Sequence, residues 1–414
     1  MTGQSATERH RLPGNVKALA LVSFFTDASS EIIYPLLPLF VTSQLGGSAK
    51  MLGVIEGAAE TTAAVLKLAS GWWSDRIGRR KSLVIAGYVL SSAARPLVAL
   101  AQSATQVLGV RVADRVGKGV RGAPRDALLA DSVPLEQRGR AFGLHRAADH
   151  AGAVVGPLVA FALLRWAGLD LRTLFLLAAV PGALACLALI AGVREPARRP
   201  GAAKPAPLDA RLPGRFWGYL GVLIVFTLGN STDAFLLLRA SQLGVTAAML
   251  PIVWAFLHVV KSLTSTPGGT LSDRVGRRPL IVAGWMLYAA VYVGFARAAT
   301  TWHAWALFAV YGVFFGLTEG VEKALVADLV PAERRGAAYG WYNLAIGVGA
   351  LPASVLFGAI WDRWGTGRAF VFGAAMSAAA SLLLLLAVRP PFSSSGSPAV
   401  PDARADEREV ARPD

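Results

Sequence analysis

Basic side chains recur at steps of three and four residues within one short stretch of the sequence, RVADRVGKGVRGAPRD. They are Arg111, Arg115, Lys118, Arg121 and Arg125. Residues at this spacing share one face of an α-helix. Guanidinium groups present paired donors to carboxylates and phosphates. This face therefore has the chemistry to bind an anion or to hold nearby carboxylates in their ionised form.

Carboxylic acids at helical spacing lie in neighbouring apolar segments. Asp27 and Glu31 are four residues apart, as are Glu56 and Glu60. The proton affinity of a carboxylate changes when a basic neighbour approaches or leaves. Six acids are therefore candidates for proton coupling: Asp27, Glu31, Glu56, Glu60, Asp114 and Asp149.

The elements that carry these residues must cross a lipid bilayer. Hydrophobic residues make up 54% of the 414 positions and charged residues only 16%, whereas soluble domains carry about 25% charged residues. A spanning helix needs roughly 20 apolar residues. Twelve segments meet this need, near residues 16–44, 51–73, 81–101, 104–126, 139–165, 171–193, 216–241, 247–268, 279–298, 303–326, 338–361 and 369–388. We therefore expect an all-α membrane protein with twelve transmembrane helices.

A basic face inside such a helix cannot contact lipid, because a charge at the helix centre costs at least about 2.5–3.5 kcal/mol. Three hypotheses follow for its role. It binds an anion, it keeps the acids ionised until protonation releases them, or it forms a static ion-pair network that fixes helix packing. The sequence leaves all three open.

Several other classes of protein do not fit the sequence. The net charge of +15 is concentrated in loops, as in membrane proteins, and no nucleic-acid-binding motif accompanies it. Cys186 is the only cysteine, which excludes a disulfide within the chain. We find no HExxH motif, no nucleophile elbow and no soluble sensor domain, and therefore expect no enzyme, no metal site and no cofactor.

The chain divides near its middle at a segment rich in proline and arginine. We expect a leader at 1–15, a first bundle at 16–193, a linker at 194–215, a second bundle at 216–388 and a disordered tail at 389–414. Arginine-rich loops fall on the same side as both termini. The positive-inside rule then places both termini in the cytoplasm.

The two halves repeat each other. GWWSDRIGRRKSLVIAGY, from Gly71, is echoed by GGTLSDRVGRRPLIVAGW, from Gly268. ADSVPLEQRGRAFG, from Ala130, is echoed by ADLVPAERRGAAYG, from Ala327. Two parallel six-span repeats predict a pair of pseudo-symmetric six-helix bundles of the kind used for alternating access.

The first echo resembles the loop motif of the major facilitator superfamily, and both copies follow the second span of their half, as in that family. The resemblance implies an inner-membrane transporter in which these loops form a latch or gate. It implies that Asp75 bonds to a helix end and a basic residue, with Asp273 as its weaker counterpart. The latch residues are Gly71, Asp75, Arg76, Gly78, Arg79, Arg80, Asp273, Arg274, Gly276 and Arg277.

The fifth span carries Gly143, Gly152, Gly156 and Pro157. Their spacing resembles the signature of proton-coupled antiporters in the superfamily, although Ala160 and Phe161 stand where two further glycines are expected. Glycines one turn apart also let a neighbouring helix approach closely. The resemblance favours export.

A further motif, the helical face described above and the internal repeat indicate candidate substrate and gate residues. Arg115, Lys118 and Gly119 look like the fourth-span motif of the family, whose arginine is associated with proton transfer. The candidate substrate contacts are Tyr34, Arg111, Arg115, Lys118, Arg121, Asn230 and Asp233. In the repeat, Arg125 and Asp126 align with Glu322 and Lys323, which predicts a salt bridge between the halves at the inner gate.

We therefore expect a monomeric transporter that uses the proton gradient, without a cofactor, to export a small anionic or amphiphilic molecule. The alternative is a proton-coupled symporter that imports an organic anion or a metal chelate. The identity of the substrate is not predicted, because cavity shape decides it and fold does not.

Overall fold

The computed structural model describes residues 12–77, 80–134, 137–195, 211–331 and 334–387, and these form twelve helical spans. The spans are α1, Gly14–Ile33 with the short continuations Tyr34–Leu36, Leu37–Leu39 and Phe40–Gln44; α2, Ala49–Ile77; α3, Arg80–Leu100; α4, Ala104–Asp131; α5, Arg138–Arg165; α6, Leu171–Gly192; α7, Gly214–Gln242; α8, Leu250–Val275; α9, Arg277–Arg297; α10, Thr301–Leu329; α11, Arg335–Trp364; and α12, Thr366–Ala387. The all-α prediction with twelve spans is confirmed.

Some predicted segments lie outside the described residues. They are residues 1–11 of the leader, residues 196–210 of the linker, the tail, Gly78, Arg79 and the side chain of Asp75. The part of the latch that these residues were predicted to form stays a prediction.

Length and apolar composition make eight of the described helices able to cross a membrane. The other four spans among the described residues are α1, α2, α4 and α8. The acids and bases singled out above lie largely on α1, α2 and α4. These helices therefore depend on burial against other helices rather than on contact with lipid.

The spans form two bundles, α1–α6 and α7–α12. Within the first bundle α4 packs between α2 and α3, and within the second α10 packs between α8 and α9. The bundles meet along two helix pairs, α2 with α11 and α5 with α8. Glycine makes the first pair close, because a Cβ on Gly57 would lie 2.7 Å from the Cα of Leu351.

At one end of the molecule the two bundles are joined by a set of contacts that we call the seal. The backbone amides of Ala49 and Lys50 donate to the Asp362 carboxylate at 2.9 and 2.8 Å. Trp254 Nε1 donates to Glu31 Oε2 at 2.6 Å. These bonds connect the first residues of α2 to the last turn of α11, and α1 to α8.

The opposite end, where the described chain begins and ends, is open, and we call it the mouth. The side chains that face each other there are exposed: Lys67 by 52%, Lys323 by 44% and Asp126 by 36%. On the mouth side of the α2–α11 pair, the Thr61 hydroxyl donates to the Gly347 carbonyl at 2.6 Å, and Ala64 packs on the same glycine. Lys118, further along α4 from the mouth, is exposed as well, and we call this solvent-accessible space between the bundles the cavity.

Several spans depart from regular α-helix, among them α3 and α7. In α3 the last six residues, Arg95–Leu100, form a 3₁₀ segment that begins next to Pro96. In α7 the helix stops at Gly229 and resumes at Ala234. Interrupted spans place polar backbone and side chains beside a cavity, which is where irregular backbone is tolerated in membrane proteins.

Candidate functional site

A deeply buried ion pair joins α2 to α4. Arg111 donates to both carboxylate oxygens of Glu56, at 3.0 Å from Nε and 2.8 Å from Nη2. Only 6% of Arg111 and 1% of Glu56 is exposed. A two-pronged pair of this kind fixes the relative position of the two helices.

A second buried pair was missed by the sequence analysis. Arg95 Nε donates to Asp114 Oδ1 at 2.9 Å, and its Nη1 donates to the Thr26 carbonyl at 3.0 Å. Arg111 and Arg115 also approach Asp114 Oδ2, at 3.8 and 3.6 Å. Three guanidinium groups thus compensate one buried carboxylate. The signal in the sequence was an arginine well inside an otherwise apolar span.

Next to this core lies a pair that solvent can reach. Arg115 Nη2 lies 3.3 Å from Glu60 Oε1, and 48% of the Glu60 side chain is exposed. Arg115 itself is buried, and its Nε has no hydrogen-bond partner among the described residues. Arg115 therefore joins the buried charges of α4 to an acid that solvent can reach.

Lys118 lies one turn further along α4 and is exposed to the cavity. Within the described part of the chain it makes no hydrogen bond or ion pair. Arg115, Glu60 and Asp27 are among the charged groups that act on it electrostatically. Lys118 is thus a cation available to a ligand.

Arg121 differs from the prediction for the basic face. Its Nη1 donates to Ser91 Oγ at 2.6 Å, and its guanidinium carbon lies 4.2 Å from the centre of the Tyr88 ring. Both partners belong to α3, so Arg121 points into the first bundle rather than into the cavity. The spacing placed the five bases on one side of α4 correctly, but long side chains on that side reach α2, α3 or the cavity.

Acids on α1 and α5 form a separate cluster. Asp149 accepts a short hydrogen bond from the Ser23 hydroxyl and lies 3.5 Å from His145 Nδ1 and 3.6 Å from Arg146 Nη1. Asp27 is half-buried and has neither an ion pair nor a hydrogen bond to a described side chain. It is the acid of this region that is free to exchange a proton or a ligand.

The glycines of α5 divide into two groups. A Cβ on Gly156 would lie 3.0 Å from the Cα of Ala28, and one on Gly152 would lie 3.1 Å from the Cβ of Asp27. These two glycines let α1 pack closely on α5 beside Asp27. Gly143 has nothing within 4 Å of such a Cβ and makes no such contact. Pro157 is buried within α5.

In the second bundle, the interruption of α7 lies beside the cavity. Asp233 accepts from the Tyr311 hydroxyl at 2.6 Å, while Asn230 caps the inner segment of the helix. Tyr34 of the first bundle reaches Thr232 at 3.5 Å. Tyr34 and Asp233 therefore lie near the contact between the bundles, and the role of all three residues in binding substrate stays a prediction.

The predicted salt bridge between the halves is absent. Glu322 is buried in the second bundle, where Trp285 Nε1 and the Tyr342 hydroxyl donate to it at 2.8 and 2.9 Å. Lys323 pairs with Glu319 at 3.4 Å, and Arg125 pairs with its own neighbour Asp126 at 2.8 Å. The reason is that the bundles stand apart at the mouth, so each charge is satisfied within its own half.

The loop residues instead form equivalent pairs within each half. Arg80 contacts Asp131, and Arg277 Nε lies 2.5 Å from Asp328 Oδ2. Each residue of the second pair lies 197 positions after its counterpart in the first: Arg277 after Arg80, and Asp328 after Asp131. Arg277 Nη1 also lies 3.1 Å from Asp273 Oδ1.

The remaining latch residues lie near these pairs. Gly276 turns the chain between α8 and α9 at φ 90°, a backbone conformation that favours glycine. Arg76 stacks over Trp72 at 3.8 Å, Arg274 is exposed, and Gly71 packs near Ala123.

Two helical bundles of parallel topology, a cavity open at one end and a charged binding surface at mid-depth define a secondary transporter of the membrane, not an enzyme. The sequence profile of the Major Facilitator Superfamily matches residues 19–260 and 234–412. The chain belongs to this superfamily, and the resemblance found in the sequence is confirmed.

Known proteins resemble the chain over most of its length. An uncharacterised MFS-type transporter of Methanocaldococcus jannaschii is 32% identical over 90% of this chain and 95% of the relative. The multidrug resistance protein MdtH of Aeromonas hydrophila is 26% identical over 83% of this chain and 87% of its own. A bacterial homologue of the human lysosomal transporter Spinster, solved in an inward-facing and unoccupied conformation, superimposes with a TM-score of 0.69 at 18% identity, covering 93% of this chain and 96% of the other.

Proposed function

We propose that the protein exports a small anionic or amphiphilic molecule in exchange for protons. It would act as a monomer, without a cofactor, in the inner membrane, with both termini in the cytoplasm. The observation that carries the proposal is the pair of cavity charges left without partners, Lys118 and Asp27. The close packing of α1 on α5 through Gly152 and Gly156, and the relationship to a multidrug resistance protein, support export.

In this mechanism the acidic group of the substrate binds Lys118. A hydrogen-bond donor of the same molecule binds the Asp27 carboxylate. A proton on Asp27 would occupy the position that this donor needs, so proton and substrate compete. Such competition couples the two movements in opposite directions. The arginine-rich loops beside the mouth support a cytoplasmic position for the open end of the cavity.

A second mode of coupling is favoured by a different pair, Glu60 with Arg115. An anion that takes the place of Glu60 on Arg115 leaves Glu60 without its base, and a proton then binds Glu60 more readily. Here proton and substrate favour each other and move in the same direction. This is the importing symporter of the sequence analysis, and its substrate class is an organic anion or a metal chelate.

The two modes predict opposite pH changes in one experiment. Purified protein is reconstituted into liposomes that contain a trapped pH-sensitive dye and an acidic lumen, and salicylate, taurocholate or nalidixic acid is added outside. Antiport makes the lumen more alkaline as substrate enters, whereas symport makes it more acidic. The sign does not depend on the orientation of the protein in the liposome.

Two variants assign the residues. Asp27→Asn is expected to abolish the alkaline response, and Glu60→Gln is expected to preserve it. Asp170→Asn is the matched control, because Asp170 caps α6 outside the cavity. An acidic response that Glu60→Gln abolishes would replace the antiport proposal with the symport mechanism.

A further inference from the structure

The repeat of the two halves extends into the cavity. The 197-residue offset that relates the loop pairs also relates Gly119 to Gly316. Gly119 packs on Leu66 and Ala63 of α2, and Gly316 packs on Thr264 of α8. Positions on α4 and α10 with this offset are therefore structurally equivalent as well as aligned in sequence.

By this equivalence the counterpart of Lys118 is Phe315. The second half thus has no base at position 315 of α10. Lys261 of α8 supplies a base next to that position. Its Nζ lies 3.6 Å from the centre of the Phe315 ring. Each half therefore holds an ammonium group at the same place on its wall of the cavity, although the two lysines come from non-equivalent helices.

These lysines differ from Arg95 and Arg111 in making no ion pair with a carboxylate. Arg95 and Arg111 are each bonded to a carboxylate at 3.0 Å or less. Neither Lys118 nor Lys261 makes an ion pair within the described residues. Carboxylates act on both from beyond ion-pair distance, Glu60 and Asp27 on Lys118 and Asp233 and Glu319 on Lys261. The Phe315 ring attracts the Lys261 cation but adds no negative charge. Two ammonium groups without an ion-pair partner thus face the cavity from opposite bundles.

We propose that the substrate carries two negative charges, as a dicarboxylate or a phosphomonoester does, and binds between Lys118 and Lys261. As the mouth closes, the bundles approach and the two ammonium groups repel each other unless an anion lies between them. The substrate therefore removes the barrier to closure and joins the two halves. This inference rests on the anionic substrate of the proposed function and adds its valence, its second contact and its effect on the gate.

The experiment measures closure of the mouth directly. Spin labels are attached at Ala127→Cys and Ala324→Cys, equivalent positions near the mouth ends of α4 and α10, in a Cys186→Ser background. Without ligand, Lys118→Gln/Lys261→Gln is expected to raise the population with a short distance between labels by roughly threefold or more, because the repulsion is removed. Lys17→Gln/Arg297→Gln removes two exposed charges, one in each bundle and outside the seal and the cavity, and should leave the distribution unchanged.

Ligand valence is tested with probes that share a six-carbon chain. Adipate or hexyl phosphate is expected to shift the protein with unsubstituted lysines toward the short distance, and hexanoate is not. An unchanged distribution in the double variant, or a shift by hexanoate equal to that by both dianions, would overturn the inference. Neither result alters the sign of the pH change in the liposome experiment, so failure of the proposed function is recognised separately.

Discussion

At the scale of single residues, access to solvent distinguishes charges that hold the structure from charges that can act. Glu56 and Arg111 are buried and doubly bonded, whereas Glu60 on the same helix is half exposed in its pair with Arg115. Removing one partner of a buried pair leaves an uncompensated charge, while an exposed pair contributes little. Loss of Glu56 and loss of Glu60, one turn apart on α2, should therefore change the free energy of unfolding by different amounts.

We predict that Glu56→Gln lowers the free energy of unfolding by about 3–5 kcal/mol, because it strands the buried Arg111 guanidinium. Glu60→Gln is the matched control and should lower it by less than about 1 kcal/mol. Thermal and denaturant unfolding in detergent micelles measure both. Equal losses in the two variants would contradict this distinction.

For Glu322, which is also buried, we expect little change in the free energy of unfolding. It is buried and accepts from Trp285 and Tyr342, but no ion pair compensates it within the described residues. A glutamine keeps an acceptor for the indole N–H and offers its amide to the tyrosine oxygen. Glu322→Gln should therefore change the free energy of unfolding by less than about 1 kcal/mol, in the same unfolding assay. A loss as large as that of Glu56→Gln would show that the charge itself is needed.

The sequence predicted the residues of the site better than their partners. Spacing placed Arg111 and Glu56 on helices, because helical periodicity is local. It missed Arg95 as a contact of Asp114 and Lys261 as a contact of Phe315, because both meet their partners only after the helices have packed. Arg121 turned toward Tyr88 for the same reason: side-chain direction depends on which neighbour is close.

At the scale of elements, hydropathy and length located the twelve spans, although they make only eight of the described helices apolar enough to cross a membrane. They did not indicate the interruption of α7, because an average over a span hides four irregular residues. They also did not indicate how closely α2 meets α11. That contact depends on small residues where the two helices approach each other. Gly57, which faces the backbone of Leu351, is one of them.

We predict that Gly57→Leu forces α2 and α11 apart at the seal. A leucine side chain cannot fit where its Cβ alone would lie 2.7 Å from the Cα of Leu351. Helix axes should separate by on the order of 1–2 Å, because axial distances follow the side chains at the contact. Spin labels at Lys50→Cys and Arg363→Cys should report a longer and broader distance. Gly109→Leu, whose Cβ meets nothing within 4 Å, should leave the distance unchanged.

At the scale of the whole molecule, an acid of one bundle caps a helix of the other. Asp362 of α11 accepts from the first amides of α2, so the cap forms only when the seal is closed. Capping bonds contribute about 1 kcal/mol. Here that free energy stabilises one arrangement of the bundles in addition to one helix end.

We predict that Asp362→Ala shifts the population away from the state sealed at this end by roughly fivefold, the change that about 1 kcal/mol produces. The labels at positions 127 and 324 should then report more of the short distance at the mouth. Asp170→Ala is the control, because Asp170 caps α6 through Arg172 without contacting the other bundle. If both variants shift the distribution alike, the cap across the bundles has no special role.

The buried charges of α4 also bear on how the protein is made. Alone in lipid, a helix with Arg111, Asp114 and Arg115 near its centre would be poorly tolerated. Its partners Glu56 and Arg95 belong to α2 and α3, which leave the ribosome earlier because synthesis runs from the N-terminus. The counter-charges are thus already in the bilayer when α4 arrives. The order of helices along the chain is therefore also a workable order of membrane insertion.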